Sequence, residues 1–305
     1  MRQFIARRLL TSCLVVFGVV TAIFVLVRLT GDPVALMTQP GMSVQDIQEL
    51  RRYWRLDRPI QEQYFAFLAD VAKGEFGISP WQLQPALGLV LGRLPATFLL
   101  TGAAMAFALV VALIVGTLAA LRRNTLVDRV GMGFVLLGQS VPSFWLGLML
   151  ILLFAVNLGW LPSAGYGTPQ HLILPMVSLG LFTLARLTRL VRSELLEVFA
   201  QDYIRTARSK GLSEWVLLRR HALPNIVIPI ITVMALDFGI LMGGAVITET
   251  IFAWPGVGRL MIQAIEQRDF PILQAGVFIV AVLVVTANFL ADLAYAWIDP
   301  RIRYG

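Results

Sequence analysis

From Val130 to Ala185 the chain carries no Asp, Glu, Lys or Arg. A helix crosses a bilayer in about 20 apolar residues, so this run is too long for one crossing. Its middle, "NLGWLPSAGYGTP", is rich in Gly and Pro and reads as a turn. The run therefore divides into spans near 130–156 and 171–191. Four more apolar runs follow the same rule: Leu9–Val27, Leu94–Leu121, Ile226–Thr248 (interrupted by Asp237) and Pro271–Ala291. Soluble domains are about a quarter charged, whereas only 14% of this chain is charged and 58% is hydrophobic. The expected fold class is an all-α membrane protein with six transmembrane helices. The first run is too long for a signal-peptide core and no small-x-small cleavage site follows it, so it reads as an uncleaved helix.

The net charge is +7. Such a balance can mark nucleic-acid binding, but cytoplasmic loops of membrane proteins also collect Lys and Arg. With the N-terminus inside, sixteen Lys and Arg fall on the inner side, Arg186 and Arg189 at the inner end of the fourth span included, and eight on outer segments. Both termini are therefore expected in the cytoplasm, and no nucleic-acid partner is expected. The division that follows is 1–29 as N-terminus and first helix, 30–95 as an external helical segment, and 96–305 as the core, with a cytoplasmic loop over 194–224. Cys13 is the sole cysteine; it excludes an intrachain disulfide and reads as a packing residue.

The external segment has structure of its own. Ser43 and Asp46 form a capping pattern that opens a helix through "VQDIQELRRYW". Pro59 suits a helix start and Gly74 its end. Between them Ile60, Tyr64, Phe67, Leu68 and Val71 share one face, which must cover something apolar, either the rim of the bundle or an outside partner.

The most charged stretch is "DYIRTARSKGLSEWVLLRRHALPN", Asp202 to Asn225. Gly211 is placed to end one short helix, and Ser213 to cap a second. Tyr203, Ile204 and Ala207 share a side of the first helix, with Arg205 and Arg208 elsewhere around it. Pro224 marks the entry to the fifth span. Two amphipathic helices below a membrane fit a groove on another protein, which accounts for the apolar residues and the arginines together.

Here the sequence resembles the permease subunits of ATP-binding-cassette importers, in the dipeptide/oligopeptide/nickel branch. Ala207, Gly211, Leu223 and Pro224 match the coupling pattern Ala-x3-Gly-x11-Leu-Pro. "FIARRLL", "TGDP", "LDRPIQEQY", "GEFGIS", "RLPATF", "GGAVITETIFAWPGVGRLMIQAIEQRDFP" and "DPRIRYG" extend the likeness over nearly the whole chain. The long segment after the first span resembles the first permease of such systems. Arg205-Thr206 stands where the general motif has Glu-Ala, His221 stands at a later apolar position, and "WQLQPALGLV" replaces a usual Pro-Val.

The resemblance implies a type I importer permease fold and a multi-pass place in a bacterial or archaeal inner membrane. It implies a second permease, two cytoplasmic ATPases using ATP and Mg, an external substrate-binding protein, and alternating access between two states. It puts Asp202, Tyr203, Arg205, Ala207, Arg208, Lys210, Gly211, Leu212, Trp215, Leu223 and Pro224 in the ATPase-coupling loop. Tyr203, Leu212 and Trp215 would supply apolar contact, and Arg205, Arg208 and Lys210 would set register. No Gly-Lys pair occurs, so a phosphate-cradling G-x4-G-K-[S/T] loop is absent and the chain is expected to be no enzyme itself.

Asp237 lies mid-span, where an acid costs about 2.5–3.5 kcal/mol on insertion scales, so it faces a cavity or a partner. It is either a pathway residue or a bonded helix contact. Glu249, at the outer end of the same span, is placed to shape an outer gate. Gly239, Gly243 and Gly244 form a small-residue face suited to close helix contact. His171 and His221 are too far apart to share a metal, and no cofactor is expected on this chain. The alternative, an ion-coupled carrier without ATPases, would use Asp237 and Asp292 as relay acids but leaves the 202–225 stretch unexplained. Cargo is open among peptides, nickel chelates, glutathione-like peptides and sugar conjugates.

Overall fold

A computed structural model describes residues 2–29, Val34 and 43–298. The capping partner Asp46 lacks a described side chain, and "TGDP" and "DPRIRYG" lie outside the described residues. The helices are α1 (Arg2–Leu29), α2 (Val44–Tyr53), α3 (Ile60–Lys73), α4 (Ala86–Leu121), α5 (Leu126–Ser140), α6 (Ser143–Leu150), α7 (Pro169–Phe199), α8 (Asp202–Ser209), α9 (Glu214–Leu217), α10 (Leu223–Ile251), α11 (Val257–Gln267) and α12 (Phe270–Ile298). A π-helical run, Ile151–Asn157, extends α6, and another, Leu218–Ala222, joins α9 to α10.

Five helices are long and apolar enough to cross a membrane, and a sixth crossing is available if the bent pair α5 and α6 is one span. That pair turns through 106° at the break before Ser143. The cause is Pro142, which has no N–H to continue the helix and holds Val141 extended at φ −89°, ψ 125°. Ser178 of α7 donates to the Ser143 carbonyl at 2.9 Å.

The chain divides into two compact units, one drawn from Met1–Pro95 and Gly256–Phe289, the other from Ala96–Pro255 and Leu290–Gly305. In the first, α3 lies on α1. Tyr64 meets Phe24 edge-on at 5.2 Å, Phe67 stacks tilted on it at 5.6 Å, and Tyr64 and Thr21 share a 2.7 Å hydrogen bond. Leu68 and Val71 continue that face, but Ile60, read with them, is 55% exposed at the first turn. Gly74 closes α3 in the left-handed region at φ 78°. Ser79 donates to the buried Asp269 carboxylate, and Trp81 Nε1 donates to the Gln267 carbonyl at 2.8 Å, tying the turn before α4 to the end of α11. Cys13 is exposed rather than packed; it lines an open groove with Phe17, Val71 and Phe278.

In the second unit α7 is central. Ala108, Ala112 and Ala120 of α4 and Ile226 and Ile230 of α10 pack on Leu184, Leu187, Val191 and Leu195. Small residues let the backbones approach. A Cβ at Gly116 would stand 2.8 Å from Val191, and one at Gly180 would stand 2.8 Å from the Ala104 carbonyl oxygen. Arg192 holds Asp128 with two bonds, Nε to Oδ1 at 2.7 Å and Nη2 to Oδ2 at 2.8 Å. The Asn124 N–H adds a third at 3.0 Å. This clamp fixes the start of α5 on α7. Asp128→Ala removes charge-assisted bonds and strands Arg192, so it is expected to cost about 2 kcal/mol, read as a lower melting midpoint in detergent; an unchanged midpoint would show the clamp to be idle.

Candidate functional site

The 202–224 stretch begins in α8. Gln201 precedes it in an extended conformation, and Arg205 and Arg208 emerge into solvent. Ile204 turns the other way and is fully buried. The side expected to hold Tyr203, Ile204 and Ala207 is therefore split, because only Ile204 reaches the core; Tyr203 is exposed. The Tyr203 hydroxyl accepts from Asn225 Nδ2 at 3.2 Å.

Gly211 sits at φ 79°, a region that glycine enters without steric cost. Its N–H bonds the Arg208 carbonyl at 2.9 Å. Arg208 spans this turn, with Nε to Glu214 Oε1 at 2.7 Å and Nη2 to Oε2 at 3.0 Å. Those bonds hold the Arg208 guanidinium pKa above its ordinary value. The guanidinium also lies 5.8 Å over the Phe199 ring. The turn is thus a bracketed loop whose outward residues include Leu212 and Trp215, the latter 66% exposed. Beside it lies a cavity of about 590 Å³ lined by Arg122, Arg123, Phe199, Arg208 and Glu214. Arg205 pairs with Asp202 at 3.5 Å and in solvent, so that pair contributes little. Lys210 and Pro224 are exposed, and Leu223 and Ala207 are half-buried. The second helix differs from expectation. Pro224 does not interrupt it, because the wide π-helical turn at Leu218–Ala222 directly before it accommodates a residue without an N–H. From Glu214 to Ile251 the chain is one continuous helix.

Asp237 is fully buried midway along α10, and Arg186 Nη1 of α7 donates to its Oδ1 at 2.6 Å. Among the described residues no side chain or backbone group stands at hydrogen-bond distance and angle to its Oδ2. Arg186 was not singled out from sequence. Its signal was a cation inside an apolar run, one helix before an acid inside another.

Glu249 is also fully buried, accepting from the Thr97 hydroxyl at 2.7 Å. Two residues on, α10 ends, and the Trp254 N–H returns to the Glu249 carbonyl at 2.8 Å. Trp254 donates through Nε1 to the Ala96 carbonyl at 2.8 Å and meets Tyr166 edge-on at 4.8 Å. Of the glycines, Gly244 would place a Cβ at ordinary contact with Leu179, whereas Gly243 faces open space and Gly239 is half-buried. Within this chain, tight helix approaches fall on Gly116 and Gly180. His171 bonds Thr168 at 2.7 Å. Among the described residues, no three His, Cys, Asp or Glu side chains gather as metal ligands.

These features describe a helical membrane subunit with a structured loop between long spans. Residues 112–304 match the family model "Binding-protein-dependent transport system inner membrane component", and residues 1–101 match its N-terminal companion. The chain belongs to this family: it is a permease subunit of an ATP-binding-cassette importer. It is similar to the "Glutathione transport system permease protein GsiC" of Escherichia coli (strain K12) and of Shigella dysenteriae serotype 1 (strain Sd197). Each is 38% identical over 306 residues, covering 100% of both chains. An inward-facing structure of the MetNI methionine ABC transporter shares its fold, with a TM-score of 0.56 at 20% identity over 69% of this chain and 96% of that one. An amino acid ABC transporter aligns with a TM-score of 0.53 at 19% identity, over 68% and 92%. The subunit sits in the inner membrane and works with a second permease, ATPase subunits that carry ATP and Mg, and a binding protein. Nothing in these likenesses favours a carrier that works without ATPases.

Proposed function

We propose that this chain lines half of the pathway of an importer for short peptides, with glutathione-like solutes included, and that its ATPases grip it at 202–224. The cargo reading is supported by full-length likeness to permeases named for glutathione transport. The coupling reading is carried by one observation, the Gly211 turn held shut by Arg208 and Glu214. A rigid turn transmits force, and Tyr203, Leu212 and Trp215 around it offer apolar surface to a groove, with Arg205 and Lys210 at its edge. In this reading Asp202, Ala207, Leu223 and Pro224 shape the loop. Both termini face the cytoplasm, and residues 30–95 present α2 and α3 to the outside. Glu249 braces the outer end of α10 through Thr97.

The test is recovery of the tagged chain from its native membrane in mild detergent, followed by reconstitution of what accompanies it. Expected are a second permease and ATPases, with ATP-dependent uptake of labelled glutathione and dipeptides once the binding protein is added. A chain that purifies alone and transports in vesicles without ATP would overturn the coupling reading. Full ATP-dependent activity on a non-peptide solute only would overturn the cargo reading.

A further inference from the structure

The Arg186–Asp237 pair joins two helices that are each long and apolar enough to cross a membrane. Arg186 is about 25 Å along α7 from Pro169, and Asp237 is about 21 Å along α10 from Leu223, at 1.5 Å per residue. The two partners are unequal: Asp237 has no exposure, whereas the Arg186 side chain is 36% exposed. A guanidinium partly uncovered at this depth does not face lipid, because charged groups there turn to protein or to water-filled cavities.

Its surroundings say which. One turn earlier on the same strip of α7 is Phe182, and one turn beyond Asp237 on α10 is Ile240. Both line a cavity of about 360 Å³ that also receives Gln139, Ser140 and Thr183. This cavity abuts the α5–α6 break, and irregular backbone at membrane depth occurs where it lines a cavity. A helical side chain leans toward the N-terminus of its own helix, so Arg186 leans back toward the Thr183 level, where the cavity is.

Arginine has five N–H donors in a planar fork that matches a carboxylate. The recorded bond to Asp237 uses one Nη1 group. We infer that Arg186 is a carboxylate anchor in the translocation pathway, positioned and charge-balanced by Asp237, and that it takes the free carboxyl group of a peptide-like cargo. This rests on the peptide reading above. The balance matters for transport: an unopposed cation would hold an anion too long, while a neutral pair gives a site that a solute can enter and leave. Asp237 is a positioning residue here: its Oδ1 holds Nη1, leaving the other N–H groups of the guanidinium to meet the cargo carboxylate.

The first test needs no transport. The assembled complex in lipid nanodiscs is treated with phenylglyoxal, and the adduct at Arg186 is followed by mass spectrometry. Modification is expected, and glycylglycine at saturating concentration should slow it by about tenfold while glycylglycinamide leaves it unchanged, as a bidentate ion pair requires. No adduct, or equal slowing by acid and amide, would overturn the anchor whatever the true cargo is. The second test is uptake by Arg186→Gln, alone and with Asp237→Asn, the double variant avoiding a stranded buried acid. Dipeptide uptake relative to its C-terminal amide should fall about tenfold in both, in keeping with the loss of one charged pairing. An unchanged ratio would overturn the anchor. Failure of the wild-type complex to move any peptide would overturn the cargo reading instead, and leave the adduct measurement to decide on Arg186.

Discussion

Gly211→Val is expected to abolish ATP-driven uptake while leaving the protein in the membrane at normal abundance. The reason is backbone geometry and not crowding within the chain. A Cβ at this position would meet no atom within 4 Å, but φ is 79°. A left-handed conformation costs an L-residue about 1–2 kcal/mol, and a β-branched side chain is the worst case. Relief requires φ to become negative, which swings α8 away from α9 and parts Arg208 from Glu214. A penalty of about 2 kcal/mol against the bracketed turn corresponds to roughly a 30-fold loss. Gly211→Asn makes the comparison sharp, since Asn tolerates this region. Uptake near normal in Asn and absent in Val is the expected pattern, measured with the reconstituted complex. Loss in both would show that an incoming surface, not the turn, demands glycine. Normal uptake in Val would sink the coupling assignment.

Trp254→Ala has the largest expected effect on stability. Trp254 is 1% exposed and among the largest fully buried side chains. Its ring fills space between Ala96, Leu100, Leu241 and Ala245, and its Nε1 satisfies the Ala96 carbonyl. Emptying such a site costs about 3–5 kcal/mol, to which the stranded carbonyl adds about 1 kcal/mol. Trp254→Phe keeps most of the bulk and should lose chiefly the hydrogen-bond contribution. Melting in detergent, followed by size-exclusion fluorescence, separates the two. A Trp254→Ala protein that melts with the wild type would mean that the α10 end is not braced as described.

The spans were readable because hydrocarbon imposes a simple rule: long runs without charge. The break at Pro142 has a local cause in the proline ring, but its 106° depends on what the two halves pack against. Gly211 and Gly74 were legible from chain punctuation, and both adopt positive φ. Pairings between helices were not. Asp128 finds Arg192 across 64 residues and Asp237 finds Arg186 across 51. No periodicity links such positions; only the helix crossings bring them together. Helix α11 went unread as an element, although Val257, Leu260, Met261 and Ala264 fall on one buried face, because its short amphipathic pattern sits between two stronger apolar runs. Ile204 shows the opposite failure: its neighbours share its apolar character, but one faces the core and the others do not.

The helix that starts at Glu214 does not stop until Ile251. The wide π-helical turn at Leu218–Ala222 replaces what a hinge would have been, and Leu218, Ala222, Ile226 and Ile230 seat it against α7. Thirty-eight residues at 1.5 Å each make a rod of roughly 57 Å. Trp215 stands at one end of that rod, Asp237 past its midpoint and Glu249 near the other end. A lever of this kind bends where its hydrogen-bond ladder is broken: a tilt imposed at Trp215 is taken up first at Pro229, inside the helix, before it arrives at the buried carboxylate.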